Sequence, residues 1–132
     1  MPYEQPKFTI YIFGNPLLPF DSLPIKILPQ LRKKFPQFNF VIFDPNENLK
    51  PQDKKLFIID TVQGLKEVAL IEDFDRIMTN KIYSLHDFDL GFNLKLLQKI
   101  GELEEIKIFG IPPELGVDEI VKQLTPILKQ LH

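Results

Sequence analysis

Four short, nearly continuous apolar runs constrain this 132-residue chain more than any other feature. They are Phe8–Phe13, Phe38–Phe43, Lys55–Ile59 and Ile106–Ile111, and each is cut off by polar or turn-forming residues. Runs of this length suit strands buried on both faces, as in a parallel sheet, better than amphipathic helices. Between and after them, apolar residues recur at helical spacing: Leu23, Ile27, Leu31 and Phe35; then Leu90, Leu94 and Leu97; then Val117, Ile120, Val121, Leu124, Leu128 and Leu131. Alternating strands and helices predict an α/β fold. The expected architecture is a three-layer α/β/α sandwich around a mostly parallel sheet of about five strands. One domain over residues 1–132 accounts for the whole length.

Punctuation refines the boundaries. Gly14-Asn15-Pro16 turns the chain after the first strand. A helix then starts with Asp21 or Ser22 as its cap and Pro24 in its first turn, where a missing N–H is harmless. Pro29 should kink that helix. Asp44-Pro45-Asn46 breaks the second strand, and Asp60 ends the third. Val68–Ile71 reads as a further strand and Ile82–Tyr83 as a short extended piece. Ser84-Leu85-His86-Asp87 has the Ser-x-x-acid pattern of a capping box. Gly101 stops the helix that follows, and Pro126 should kink the last one. Residues 1–6 form a loose lead-in.

Composition removes several classes of function. A hydrophobic content of 44% with 26% charged residues describes a globular chain rather than a disordered one. No apolar run approaches the roughly 18 residues of a membrane span. No basic N-terminus leads into an apolar stretch, so no secretory signal is expected. A net charge of −2 argues against a nucleic-acid partner. The absence of cysteine removes disulfides, thiol catalysis and cysteine-ligated zinc or iron–sulfur sites together. Gly14-Asn15-Pro16 is not a phosphate loop, since it has one glycine and no Lys-Ser or Lys-Thr after it.

Asp21, Asp60 and His86 are polar residues placed where apolar segments end. The carboxyl ends of parallel strands are where α/β domains hold their ligands. Two carboxylates and an imidazole gathered there would form a divalent-metal site, of the nickel or zinc kind, or an acid–base site. With Ser84 as cap, His86 falls in the first helical turn, where the positive helix end favours the neutral, metal-binding ring; Asp87 and Asp89 push the other way. Each residue also has a plain structural role open to it. Asp21 can cap the helix beside Ser22 and Pro24, Asp60 can hold a turn through Thr61, and His86 can be an ordinary residue near a helix start. Asp44, a third acid at a strand end, can hold the turn through Pro45-Asn46. His132 is terminal and is set aside.

Those residues, in that order, resemble the hydrogenase maturation endopeptidases, over about Lys7 to Leu131. FGNPLL (Phe13–Leu18) is similar to the family's opening Gly-Asn motif, with Asp21 on its metal-binding acid. FIIDTVQG (Phe57–Gly64) resembles the strand whose terminal acid is the second ligand, here Asp60. SLHDFDL (Ser84–Leu90) resembles the segment that supplies the histidine ligand, here His86. FGIPPELG (Phe109–Gly116) matches the late strand and its Pro-Glu turn. Asp44 falls where the family has an Asp-Gly-Gly type turn whose acid is implicated in cleavage. The chain departs from the pattern in four places. Phe20 stands where a second acid is usual, Ser22-Leu23-Pro24 replaces a glycine-containing turn, Pro45-Asn46 replaces the glycines after Asp44, and the segment after Gly64 is short.

The resemblance implies a cytoplasmic endopeptidase, expected to be a monomer. It would remove a C-terminal extension from the large-subunit precursor of a nickel-iron hydrogenase after nickel insertion. The nickel would arrive held by the precursor's own cysteines, with Asp21, Asp60 and His86 completing its coordination and Asp44 acting in cleavage; zinc or cadmium could take its place in crystals. The precursor would be the partner, with no nucleic acid and no membrane. The rival expectations are a non-catalytic variant that binds a nickel-loaded precursor without cutting it, and an unrelated α/β domain that binds a small ligand at the same edge.

Overall fold

A computed structural model of the protein describes residues 8–14, 22–44, 47–73 and 90–131. Within them, five strands form one sheet: β1 (Phe8–Ile12), β2 (Phe38–Ile42), β3 (Lys55–Thr61), β4 (Ala69–Ile71) and β5 (Glu105–Ile111). The spatial order is β2-β1-β3-β5-β4. β1 pairs in parallel with β2 and β3, and β3 in parallel with β5, while β4 runs antiparallel along β5. The helices are α1 (Leu23–Lys26), α2 (Leu28–Lys34), α3 (Leu90–Lys99) and α4 (Val117–Leu128). The expected mostly parallel, five-stranded α/β fold is the one observed.

Strand alternation divides the apolar residues into two layers. On the first face Ile10, Ile12, Phe57, Ile59, Phe109 and Ile111 pack with Leu23, Ile27, Leu31, Ile120, Leu124 and Leu128, so α1, α2 and α4 cover it. On the second face Leu56, Ile58, Ile106 and Ile108 pack with Leu94 of α3 and with Leu49 and Leu103. Each of these core side chains is almost wholly shielded from solvent. At about 25 cal/mol per Å² of apolar surface removed from water, such layers are the main force holding the sandwich together.

The helix expected to kink at Pro29 is instead two helices that meet at Ile27. Pro29 cannot donate to the carbonyl of Ile25, and its ring crowds that oxygen. The chain restarts with Ile27 as N-cap, which leaves both Pro24 and Pro29 in first turns. Ser22 occupies the N-cap of α1, but its side chain makes no capping bond. Its carbonyl accepts instead from the backbone N–H groups of Ile25 (3.1 Å) and Lys26 (3.0 Å).

α4 runs through Pro126 to Leu128. Pro126 is exposed, so the Lys122 carbonyl that loses its donor lies on the solvent side, while Thr125 Oγ1 donates to the Val121 carbonyl at 2.7 Å. Gly101 ends α3 as expected, with φ of 78°. Glu102 N–H donates to Leu97 O (2.9 Å) and Gly101 N–H to Gln98 O (3.2 Å), the paired bonds of a Schellman close. Ile82–Tyr83 and the capping box at Ser84–Asp87 lie outside the described residues.

Candidate functional site at the carboxyl edge of the sheet

The chain leaves β1 toward β2 on one side, through α1 and α2, and after β3 it continues to the strands on the other side. The direction of travel therefore reverses between β1 and β3. In open α/β sheets the loops part at such a point and leave a crevice beyond the carboxyl ends of the two strands. β1 and β3 are locked level there, since Ile12 pairs with Ile59 and Phe13 N–H donates to Ile59 O at 2.9 Å.

Asp60 is the next residue on β3. It was expected just past the strand; it lies inside it, paired with Gly110, and the strand continues to Thr61 opposite Ile111. The reason is β5, which extends as far as Ile111 and whose terminal carbonyl accepts from Val62 N–H at 3.0 Å. Alternation places Asp60 on the α3 face with Leu56 and Ile58. Only 2% of Asp60 is exposed. A carboxylate so buried is costly unless it is hydrogen-bonded, paired or bound to a cation.

Gly110 shapes the space beside Asp60. A Cβ built there would fall 2.8 Å from Leu65 Cδ1 and 3.2 Å from Val62 Cγ2. A glycine at this register lets the turn after β3, which passes through Gly64 at φ 90°, close down onto β5. That turn covers Gly110, the register partner of Asp60. Two further polar residues are buried at the same edge, Ser22 at the start of α1 (4% exposed) and Thr61 (0%). Thr61 Oγ1 has no hydrogen-bond partner among the described residues. Neither stands out in the sequence: a Ser or Thr beside an aspartate reads as a cap or turn residue.

Asp44 is exposed and lies two residues beyond β2. Phe43 before it is anchored through both its backbone and its ring. Its N–H donates to Ile12 O at 2.9 Å, and its ring stacks on Phe13 with centroids 4.7 Å apart. The Asp44 carbonyl accepts from Glu47 N–H at 2.9 Å, the bond expected of a residue that holds a turn. β1 lies between β2 and β3, so Asp44 and Asp60 stand at the same carboxyl edge with one strand between them. The fold thus brings two of the four candidate residues to one edge. Asp21 and His86 lie outside the described residues. Among the described residues no group of three His, Cys, Asp or Glu side chains could hold a metal ion. No described helix is long and apolar enough to cross a membrane.

No protein-family model and no curated protein matches the chain. Two solved structures do. One is the hydrogenase maturating endopeptidase HybD from E. coli, 20% identical, which aligns over 93% of this chain and 88% of its own with a TM-score of 0.63. The other is the hydrogenase 3 maturation protease, 18% identical, over 95% of this chain and 88% of its own, with a TM-score of 0.62. Both are hydrogenase maturation proteases, the family that the sequence motifs resemble. At this level of identity the likeness establishes the shared fold.

Proposed function

We propose that this protein is an endopeptidase that removes the C-terminal extension of a nickel-iron hydrogenase large-subunit precursor after nickel insertion. The observation that carries the reading is the burial of the Asp60 carboxylate at the point where the sheet reverses direction. The motifs from Phe13 to Gly116 and the fold shared with two maturation proteases support it. Asp60, with Asp21 and His86, would face the nickel that the precursor carries. Oxygen and imidazole donors without thiolates hold nickel weakly. A weak empty site discriminates, because only a loaded precursor brings the missing ligands with it. The protein would then work in the cytoplasm, as a monomer, with the precursor as its partner.

Hydrolysis needs water activated at the scissile carbonyl and a proton delivered to the departing nitrogen. Asp44, exposed beyond β2, is the group proposed to take the proton from water or to orient the peptide. A second reading rests on the bond from Glu47 N–H to the Asp44 carbonyl, which suits a residue whose role is to hold a turn. On that reading the protein binds a loaded precursor without cutting it.

One experiment separates these readings. The protein is incubated with nickel-loaded and nickel-free precursor from the same organism, and the products are weighed by mass spectrometry. Loss of the extension from the loaded form alone is the expected result. Binding without a change in mass would establish the non-catalytic reading, and neither binding nor cleavage would overturn both.

A further inference from the structure

Among the described residues β2 is an outer strand, and its outer side is only partly occupied. Phe43 N–H points to β1, where it meets Ile12 O. Backbone groups alternate in direction along a strand, so Asn39 and Val41 also face β1, and Phe38, Phe40 and Ile42 turn their N–H and C=O groups outward. Toward the amino end those groups are occupied. Phe38 N–H donates to Phe35 O at 3.1 Å, and the Phe40 carbonyl accepts from Arg32 Nη2 at 3.1 Å. Beyond the Arg32 contact, the N–H of Phe40 and both backbone groups of Ile42 have no outward partner among the described residues. The Ile42 side chain is 48% exposed, although its register partner Ile12 is fully buried. Two residues further on is Asp44.

Unpaired strand edges recruit extended chains. We propose that the carboxyl half of the β2 edge, at Phe40 and Ile42, docks an extended segment of the substrate precursor's C-terminal extension as an added strand, and that this strand leads the peptide toward Asp44. The inference rests on the protease reading and specifies how that site takes its substrate. A cleavable peptide must be extended, and main-chain pairing holds an extended peptide without demanding a particular sequence. Ile42 offers the apolar contact on which one side chain of the added strand rests. A second copy of this chain fits poorly, because Arg32 and Phe35 close the rest of the edge and leave too little strand for two folded copies to pair.

Ile42→Pro tests this. The Ile42 N–H faces away from β1, so its loss spares the β1–β2 ladder, and outer strands accept proline at such positions. Val41 is already extended, as a residue before proline must be. With nickel-loaded precursor, KM should rise about tenfold, one hydrogen bond's worth, with kcat within about threefold of wild type. Ile100→Thr, at an exposed apolar residue just past α3, should match wild type. Thermal melts confirm that the variants fold. On the wild-type protein, hydrogen exchange at the Phe40 and Ile42 amides should slow when the precursor binds, which tests the inference even if Ile42→Pro fails to fold. Unchanged KM in folded Ile42→Pro, or unchanged exchange in the wild-type complex, overturns the docking edge and leaves the protease reading standing. A wild-type protein that neither binds nor cuts the loaded precursor removes both.

Discussion

Asp60 and Thr61 are adjacent on β3 and both buried, yet burial asks different things of them. A buried carboxylate requires compensation by a hydrogen bond, an ion pair or a cation. A buried hydroxyl costs less and can be replaced by a methyl of the same shape. Thr61→Val should therefore be neutral or stabilising by about 1 kcal/mol in urea unfolding, since Thr61 Oγ1 gives up no partner among the described residues. A clear loss of stability would mean that the hydroxyl is satisfied after all. At Asp44 the charge is in question rather than the shape. Asp44→Asn should leave binding of the loaded precursor nearly intact while turnover falls by roughly 10²–10⁴-fold, the contribution of a positioned acid–base group. Unchanged cleavage by the folded variant would return Asp44 to the turn it shares with Glu47. Both aspartates were legible in the sequence because each interrupts or follows an apolar run. The burial of Ser22 and Thr61 was not, because it depends on which strand and helix lie alongside, and no local pattern records that.

Elements whose ends are set by local chemistry were the easiest to read. Gly101 closes α3 in a left-handed conformation, with open space where its Cβ would be. Gly101→Ala should therefore cost about 1 kcal/mol through backbone conformation alone, measured by chemical denaturation. The reverse case lies before β3. Asp53 and Lys54 have φ of 52° and 63° in a two-residue turn closed by Gln52 and Lys55, the type I′ geometry that favours Asn-Gly or Asp-Gly. Lys54→Gly should gain about 1 kcal/mol by the same assay. It gives up only an exposed 3.7 Å ion pair with Glu104, which contributes little. Boundaries set by distant partners were harder. β3 reaches Thr61 because β5 runs beside it to Ile111, and the direction of β4 is decided by its pairing with β5. Pro29 announced a disruption, but not that it would be a complete break at Ile27.

At the scale of the molecule, two apolar layers on either side of one sheet carry the stability. On the proposed reading the metal arrives with the substrate and has no part in them. Dialysis against a chelator should leave the melting temperature unchanged, and the purified protein should retain no stoichiometric nickel. Nickel that survives the chelator would show that the protein owns its metal, and the discrimination argument would fail. The layered fold was legible because continuous apolar strands and helical stripes alternate along the chain. The strand order was not, since periodicity says which face is buried and nothing about neighbours.

That order also governs how the molecule comes into being. β1, α1, α2 and β2 are contiguous and can associate as soon as they are made, and β3 can join β1 shortly afterwards. The other side of β3 must wait for β5, whose residue Glu105 is the register partner of Lys55 roughly fifty positions earlier. During synthesis, the strand that becomes the centre of the finished sheet is therefore its exposed rim, with Phe57, Ile58 and Ile59 bare to other nascent chains. The protein is most prone to self-association while still unfinished, and that hazard ends when β5 docks.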